Sequence, residues 1–352
     1  MPKYIASVAL LLFGLLLTIS AYLSFISNRS PNIKVQFVNS RVGWIVGPRL
    51  LKTTDGGKTW TEIRHEDFGT FEGEYIGYGH RSLQFVDSAT GVQLGGNVIA
   101  KSTDGGRTWT ENLSIPKPAD QDMPPQSLFF ISPKVGWVVG EYVYGTNDVG
   151  RSWLALSRAP IGNDQRQRSM RIAPSYANYM PALWFSDAQN GLMARLDGEV
   201  YATTDGGKTW EKRWSVEKSI TDMFFISAQD GWIVGNEGLV GITNDAGRTW
   251  TSIPPPTKAN LTSVFFVNKL AGCAVGYGGE ILYTKDGGVT WKRASITGLW
   301  TPSPLASVSF ADELHGWSVG GNSDPFQPSL LSPSNVILAT EDGGQSWKLV
   351  KL

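Results

Sequence analysis

The chain has 352 residues with 31 basic and 31 acidic side chains, so no net field draws it to nucleic acid or to an anionic surface. A single cysteine, Cys273, excludes an intrachain disulfide and a cysteine-rich metal centre. Its 40 glycines and 14 tryptophans suit an all-β chain of short strands and tight turns better than a helical bundle.

Taken in chain order, the first element is apolar. Tyr4 to Asn28 carries no ionisable group apart from the tyrosines Tyr4 and Tyr22, and its centre is the run Val8 to Leu17. That length spans a bilayer as a helix, which needs roughly 20 apolar residues. Residues 1–30 are therefore expected to be an uncleaved signal anchor, one N-terminal transmembrane helix. The alternative is a cleaved signal peptide with a junction at Ser20-Ala21 or Ser27-Asn28, which leaves the rest of the chain on the same side. No cysteine follows the run, so a lipidated anchor is excluded.

From residue 33 to 352 one pattern, Ser/Thr-x-Asp-x-Gly-x-Ser/Thr-Trp, recurs seven times. Its aspartates are Asp55, Asp104, Asp148, Asp205, Asp245, Asp286 and Asp342, at intervals of 49, 44, 57, 40, 41 and 56 residues. The chemistry is that of a hairpin turn, or Asp box. The carboxylate accepts backbone N–H groups just beyond it, the glycines supply positive φ, and the tryptophan opens the next strand. Seven equivalent acids on seven separate turns form no catalytic or calcium centre, so these aspartates are expected to be structural.

Upstream of each box an aromatic strand leads to Gly-Trp-x-Val-Gly, as in Gly43 to Gly47, Gly136 to Gly140 and Gly231 to Gly235; the seventh unit reads Gly316-Trp317-Ser318-Val319-Gly320. Units two, four and six replace the tryptophan with Val92, Leu192 and Cys273, which marks a buried apolar position and makes Cys273 core rather than reactive. Four short strands per unit, repeated seven times, predict a seven-bladed β-propeller of four-stranded blades over residues 33–352. All units start and end in the same phase, so no strand is expected to pass between the termini.

The longer intervals carry insertions, and loops on a rigid ring are where function sits. Between boxes three and four lie Arg158, Arg166, Arg168 and Arg171, opposed only by Asp164, a basic patch suited to carboxylates. A solvated polar loop is the competing reading. Between boxes one and two, Glu66, Asp67, Glu72 and Glu74 alternate with Phe68, Phe71, Tyr75 and Tyr78. Glu72 and Glu74 have the composition of a catalytic carboxylate pair, although a solvated acidic loop explains them better. The last insertion sets Trp300 and Phe326 among prolines as a hydrophobic contact rim. His65, His80 and His315 lack ligand spacing, and no glycine-rich phosphate loop opens a helix, so no metal, cofactor or nucleotide site is expected.

The units Gly231 to Trp250 and Ala274 to Trp291 resemble the repeat of the Ycf48/Hcf136 photosystem II assembly and stability factors. The resemblance covers the whole propeller. It implies a non-enzymatic binding protein, extracytoplasmic (periplasmic, lumenal or at the cell surface), that holds newly made membrane subunits, and an arginine patch on one propeller face. Cyanobacterial members usually carry a lipidated cysteine that this chain lacks. The alternative is a carbohydrate-active enzyme, sialidase-like or another glycoside hydrolase. Sialidases resemble this chain in their boxes, yet need an Arg-Ile-Pro element that is missing between Asn32 and Thr53; Arg171-Ile172-Ala173 lacks the proline. Xyloglucanases share the Thr-Thr-Asp-Gly-Gly-Lys-Thr-Trp string but resemble two propellers enclosing a cleft. Two carboxylates within roughly 10 Å at the channel mouth would favour the enzyme.

Overall fold

Short runs that alternate apolar and polar residues, broken by glycines and box turns, can pair only with the next run along the chain, so each repeat closes into one antiparallel meander. The computed structural model describes residues 33–47, 49–64, 70–71, 74–75, 82–95, 97–121, 124–160, 182–299, 303–321 and 335–350. The expected transmembrane helix at 1–30 lies outside them. Among the described residues no helix is long and apolar enough to cross a membrane.

Seven sheets are built in chain order from the innermost strand outward. Blade 1 is Lys34–Phe37, Gly43–Val46, Leu50–Thr53 and Thr61–Arg64; blade 2 is Ser82–Phe85, Gly91–Gly95, Val98–Ser102 and Thr110–Ser114. Blade 3 is Ser127–Phe130, Gly136–Val139, Tyr142–Thr146 and Leu154–Arg158; blade 4 is Ala182–Phe185, Gly191–Ala194, Glu199–Thr203 and Glu211–Ser215. Blade 5 is Ile220–Phe225, Gly231–Gly235, Val240–Thr243 and Thr251–Ile253; blade 6 is Leu261–Phe266, Gly272–Gly276, Ile281–Thr284 and Lys292–Arg293. Blade 7 is Leu305–Phe310, Gly316–Gly321, Asn335–Thr340 and Ser346–Leu349, widened by Ser295–Thr297, which runs parallel along its outer edge. That fifth strand comes from the connection between blades 6 and 7, and no repeat signal marks it.

The apolar cores lie between blades rather than within them. Trp44 and Leu50 of blade 1 pack on Leu83 and Phe85 of blade 2, Cys273 and Val275 of blade 6 on Val308 and Phe310 of blade 7, and Trp317 and Val319 of blade 7 on Val35 and Ile45 of blade 1. Cys273 is fully buried, and burial pushes its thiol well above the ordinary value, so it is a core residue.

The Gly-Trp tryptophans of blades 1, 3 and 5 clamp each to the next blade. Trp44 stacks on Phe85 at 3.7 Å, Trp137 on Phe185 at 3.6 Å and Trp232 on Phe266 at 3.5 Å. Each indole N–H also donates to a box carbonyl of that next blade, Gly105 at 3.0 Å, Gly206 at 2.8 Å and Gly287 at 2.8 Å. The preceding glycine is a packing requirement: a Cβ on Gly136 would lie 2.4 Å from the Phe130 ring.

Ring closure uses no shared strand among the described residues. The N–H groups of Val35 and Phe37 in blade 1 donate to the hydroxyls of Ser307 at 3.3 Å and Ser309 at 3.2 Å in blade 7, and Phe37 stacks on Trp317 at 4.6 Å. Other inner strands are lashed alike. Gln36 exchanges two bonds with the backbone of Phe85 at 2.7 and 3.1 Å, and Gln84 two with Phe130 at 3.0 and 2.8 Å.

Trp232→Leu removes both the stack and the N–H bond to Gly287. We predict a loss of about 2–4 kcal/mol of unfolding free energy in urea titrations, more than for Trp232→Phe, which keeps an aromatic face.

Candidate functional site

Strand direction gives the ring two unlike ends. The boxes join third to fourth strands and share one end with the turns between first and second strands. Turns between second and third strands, and connections from one blade to the next, share the other. The described residues bounding the insertions, Pro160 and Ala182, Leu299 and Ser303, Gly321 and Asn335, all belong to connections at this second end, the insertion face.

On the box face each turn is organised around two side chains. The first Ser or Thr of the box is buried, as with Thr203 at 3 % exposure. Its Oγ1 donates to Asp205 Oδ1 at 2.8 Å and accepts the buried N–H of Gly207 at 2.8 Å. The aspartate then accepts the N–H of Lys208 and Thr209 at 3.0 and 2.9 Å and the Thr209 hydroxyl at 2.7 Å, all at the surface. The same bonds recur at Thr53/Asp55, Ser102/Asp104, Thr146/Asp148, Thr243/Asp245, Thr284/Asp286 and Thr340/Asp342. The carboxylate thus accepts the N–H groups just beyond it, as expected, while the buried Gly207 N–H goes to the hydroxyl ahead of it. The glycine expectation needs correcting, because Val149 and Ala246 hold the first glycine's place at φ 74° and 64°.

These donors hold the carboxylates down. The hydroxyls of Thr59, Ser152 and Thr209, and then the same residues' N–H groups, bring Asp55, Asp148 and Asp205 to about 2. At Asp104 burial pushes upward, but the Thr108 and Ser102 donors prevail and leave it also at about 2.

On the insertion face, Arg158 ends the outermost strand of blade 3. Its Nη2 pairs with Asp120 at 3.1 Å and Glu141 at 3.0 Å, and its guanidinium lies 5.3 Å from the centre of the Tyr142 ring. Its charge is thus compensated by groups 38 and 17 residues away. Arg166, Arg168, Arg171, Trp300 and Phe326 lie outside the described residues, as do Glu72, His65 and His80. Glu74 falls in the short strand Glu74–Tyr75, paired with Thr70–Phe71.

Sequence reasoning missed Arg195 on the same face. Its guanidinium is buried, donates from Nη1 to the carbonyl of Pro160, and pairs with Asp197 and, at 3.5 Å, with Glu199. Tyr201 donates to Glu199 at 2.6 Å, and burial with that bond pushes its phenol up to about 12. Burial also raises the Asp197 carboxyl, against the pull of Arg195. The only signal was the string Arg195-Leu-Asp-Gly-Glu-Val-Tyr201, which sets one arginine against two acids around a tight turn.

The seven innermost strands carry one acid and one base, Asp222 and Lys34. They hold equivalent places, three residues before the phenylalanines paired with Gly231 and Gly43. Desolvation raises the half-buried Asp222 carboxyl and lowers the Lys34 ammonium, although Lys34 is exposed, and each charge pulls the other back. Among the described residues no three His, Cys, Asp or Glu side chains converge as metal ligands.

The family model for photosynthesis system II assembly factor YCF48 matches three successive stretches, residues 26–171, 169–258 and 253–352. Among solved structures, a YCF48 described as bound to a D1 peptide is 18 % identical, with TM-score 0.62, over 89 % of this chain and 92 % of that one. YCF48 from Cyanidioschyzon merolae is 19 % identical, with TM-score 0.57, over 84 % and 94 %. The GH74 xyloglucanase from Xanthomonas campestris is 13 % identical, with TM-score 0.65, over 92 % of this chain but 54 % of its own, so this chain spans about half of that enzyme. No curated protein sequence matches the chain.

Two predictions follow from the box geometry. Thr203→Val leaves the buried Gly207 N–H without an acceptor and should cost about 1–3 kcal/mol, whereas Asp205→Ala frees N–H groups that water can reach and should cost about 1 kcal/mol. Chemical denaturation of the two variants gives the order. The aspartates also set an acid limit. Folded values below the ordinary 3.8 mean support that is full above it and lost as pH falls through about 2. Melting temperature should fall steeply between about pH 4 and pH 2, with a shallower slope for Asp205→Asn.

Proposed function

The chain belongs to the family of photosynthesis system II assembly factor YCF48, and we propose that it is a non-catalytic assembly factor whose propeller holds a membrane-protein subunit. The family match, which runs through all seven blades, carries this reading. In a photosynthetic host the subunit belongs to photosystem II; the solved relative described as bound to a D1 peptide is a precedent for such use of the ring. The apolar N-terminus anchors the protein, with the propeller on the extracytoplasmic side, close to subunits still in the bilayer.

Contact is made through the insertion face. Loops there are free to vary without disturbing the cores between blades, and segment 158–171 concentrates four arginines. The ion pairs refine their roles. Arg158 braces the stem against Asp120 and Glu141, and Arg195 braces it from the neighbouring blade through Pro160. Arg166, Arg168 and Arg171 are then the arginines that meet the partner's carboxylates. Trp300 and Phe326 supply the apolar rim.

Arg166, Arg168 and Arg171 changed together to Glu should abolish capture of the membrane subunit from solubilised membranes and leave the melting temperature near wild type, since surface changes shift stability by about 0.5 kcal/mol each. Arg158→Glu should instead lower the melting temperature, because it sets a third acid beside Asp120 and Glu141. Wild-type capture should weaken as salt rises to physiological strength, where the screening length is about 8 Å. A triple variant that still captures the same subunits with unchanged salt dependence would remove this segment from the interface.

A further inference from the structure

The two-blade alternation leaves the junction between blades 4 and 5 open on the box face. Between blades 4 and 5 lies a cleft of about 270 Å³, lined by Trp184, Leu192 and Ala202 on one side and by Ala246 and Arg248 of box 5 on the other, with Arg213 at its rim. Leu192 occupies the place that Trp44, Trp137 and Trp232 hold elsewhere. In those three junctions an indole crosses to the next blade and donates its N–H to the residue after the box aspartate, Gly105, Gly206 or Gly287. The matching residue in box 5 is Ala246, and Leu192 has no N–H to offer it. Trp184, from the inner strand, covers the face of Phe225 at 4.0 Å and so forms the inner wall of the cleft.

We infer that this cleft receives an aromatic side chain from an acidic peptide segment of the partner, seated against Trp184, which takes the indole's place on Phe225, and within reach of the Ala246 carbonyl. The occupant's chemistry follows from the three filled junctions and from charge. A ring bearing an N–H or O–H can contact Trp184 and Leu192 and donate toward the Ala246 carbonyl. Carboxylates flanking that ring meet Arg248, which is exposed and makes no ion pair among the described residues, and Arg213, whose partner is the exposed Glu211. Asp187 also lines the cleft, but its oxygens are occupied by Asn190 at 2.9 Å and by the N–H groups of Gln189 and Asn190 at 2.7 and 2.8 Å. A volume of this order suits one side chain rather than a drug-sized ligand. The site rests on the reading of the chain as a protein-binding propeller and adds a second contact on the face opposite the insertions.

The test is a titration of the full-length chain, held in detergent and ¹⁵N-labelled, with N-acetyl-Asp-Trp-Asp-amide, followed through the indole N–H signals. The expected result is saturable binding that falls about tenfold or more with N-acetyl-Lys-Trp-Lys-amide, with N-acetyl-Asp-Ala-Asp-amide, in Leu192→Trp and in Arg248→Glu. That factor corresponds to about 1.4 kcal/mol. Leu192→Trp fills the slot from within, as in blades 1, 3 and 5; Arg248→Glu alters only an exposed side chain and guards against a folding defect. Absence of binding, equal binding of the lysine peptide, or full binding by both variants overturns the inference. If the peptide fails while the wild-type chain still captures a membrane subunit, the cleft is wrong and the assembly reading stands. If peptide binding follows the expected pattern but no membrane subunit is captured, the assembly reading is wrong and the cleft stands.

Discussion

A blade of this protein is apolar on both faces, and that constraint governs everything else. Its second strands are buried along their length, as in Gly136–Val139 and Gly231–Gly235, so no blade has a side to turn toward water. Each sheet needs a neighbour on either side, and only a closed ring gives every sheet two. The contact that locks neighbours together is an indole laid flat on a phenylalanine, with its N–H on the next blade's box. It combines the large buried area of an aromatic pair with a directional bond that fixes the register between sheets.

Because the clamp sits on alternate blades and the ring has an odd number of them, the alternation must fail once. It fails where the termini meet. Trp317 of blade 7 faces Phe37 of blade 1, another clamp-bearing blade, and their rings stack at 4.6 Å and 27°, looser than the 3.6 Å and 1° of Trp137 on Phe185. The serine hydroxyls of Ser307 and Ser309 strengthen this junction by binding backbone N–H groups of blade 1. At even-to-odd junctions, which lack the clamp, inner-strand side chains make the contact: Trp184 covers Phe225, Phe265 stacks on Phe310, and Gln84 bonds Phe130 as Gln36 also bonds Phe85 at a clamped junction. The cleft beside Leu192 is a by-product of that substitution.

The two ends of the ring are built from different kinds of bond. The box face is built from short-range bonds within each turn, repeated almost without variation, and its aspartates are committed to those bonds. On the insertion face charges are compensated pair by pair, Arg158 by Asp120 and Glu141, Arg195 by Asp197 and Glu199. These pairs hold the ends of the segments that leave the ring at this face. The inner strands carry a single acid, Asp222, and a single base, Lys34.

The blade count, the place of every box and the buried nature of Cys273 could be read from the sequence, because each depends on residues a few positions apart. A Thr203 hydroxyl reaching Gly207 spans four residues, and a strand paired with its sequence neighbour needs no knowledge of the rest of the chain. Other features depend on groups that only folding brings together. The pairing of Arg158 with Asp120, the clamp of Arg195 on Pro160, the parallel strand Ser295–Thr297 along Ser346–Leu349, and the seam of Phe37 with Trp317 join segments 35 to 280 residues apart. Local pattern specifies a blade, since its bonds close within the repeat. Which charges are free, and where the ring leaves a gap, is set by the contacts of each blade with its neighbours, and those exist only once the ring has closed.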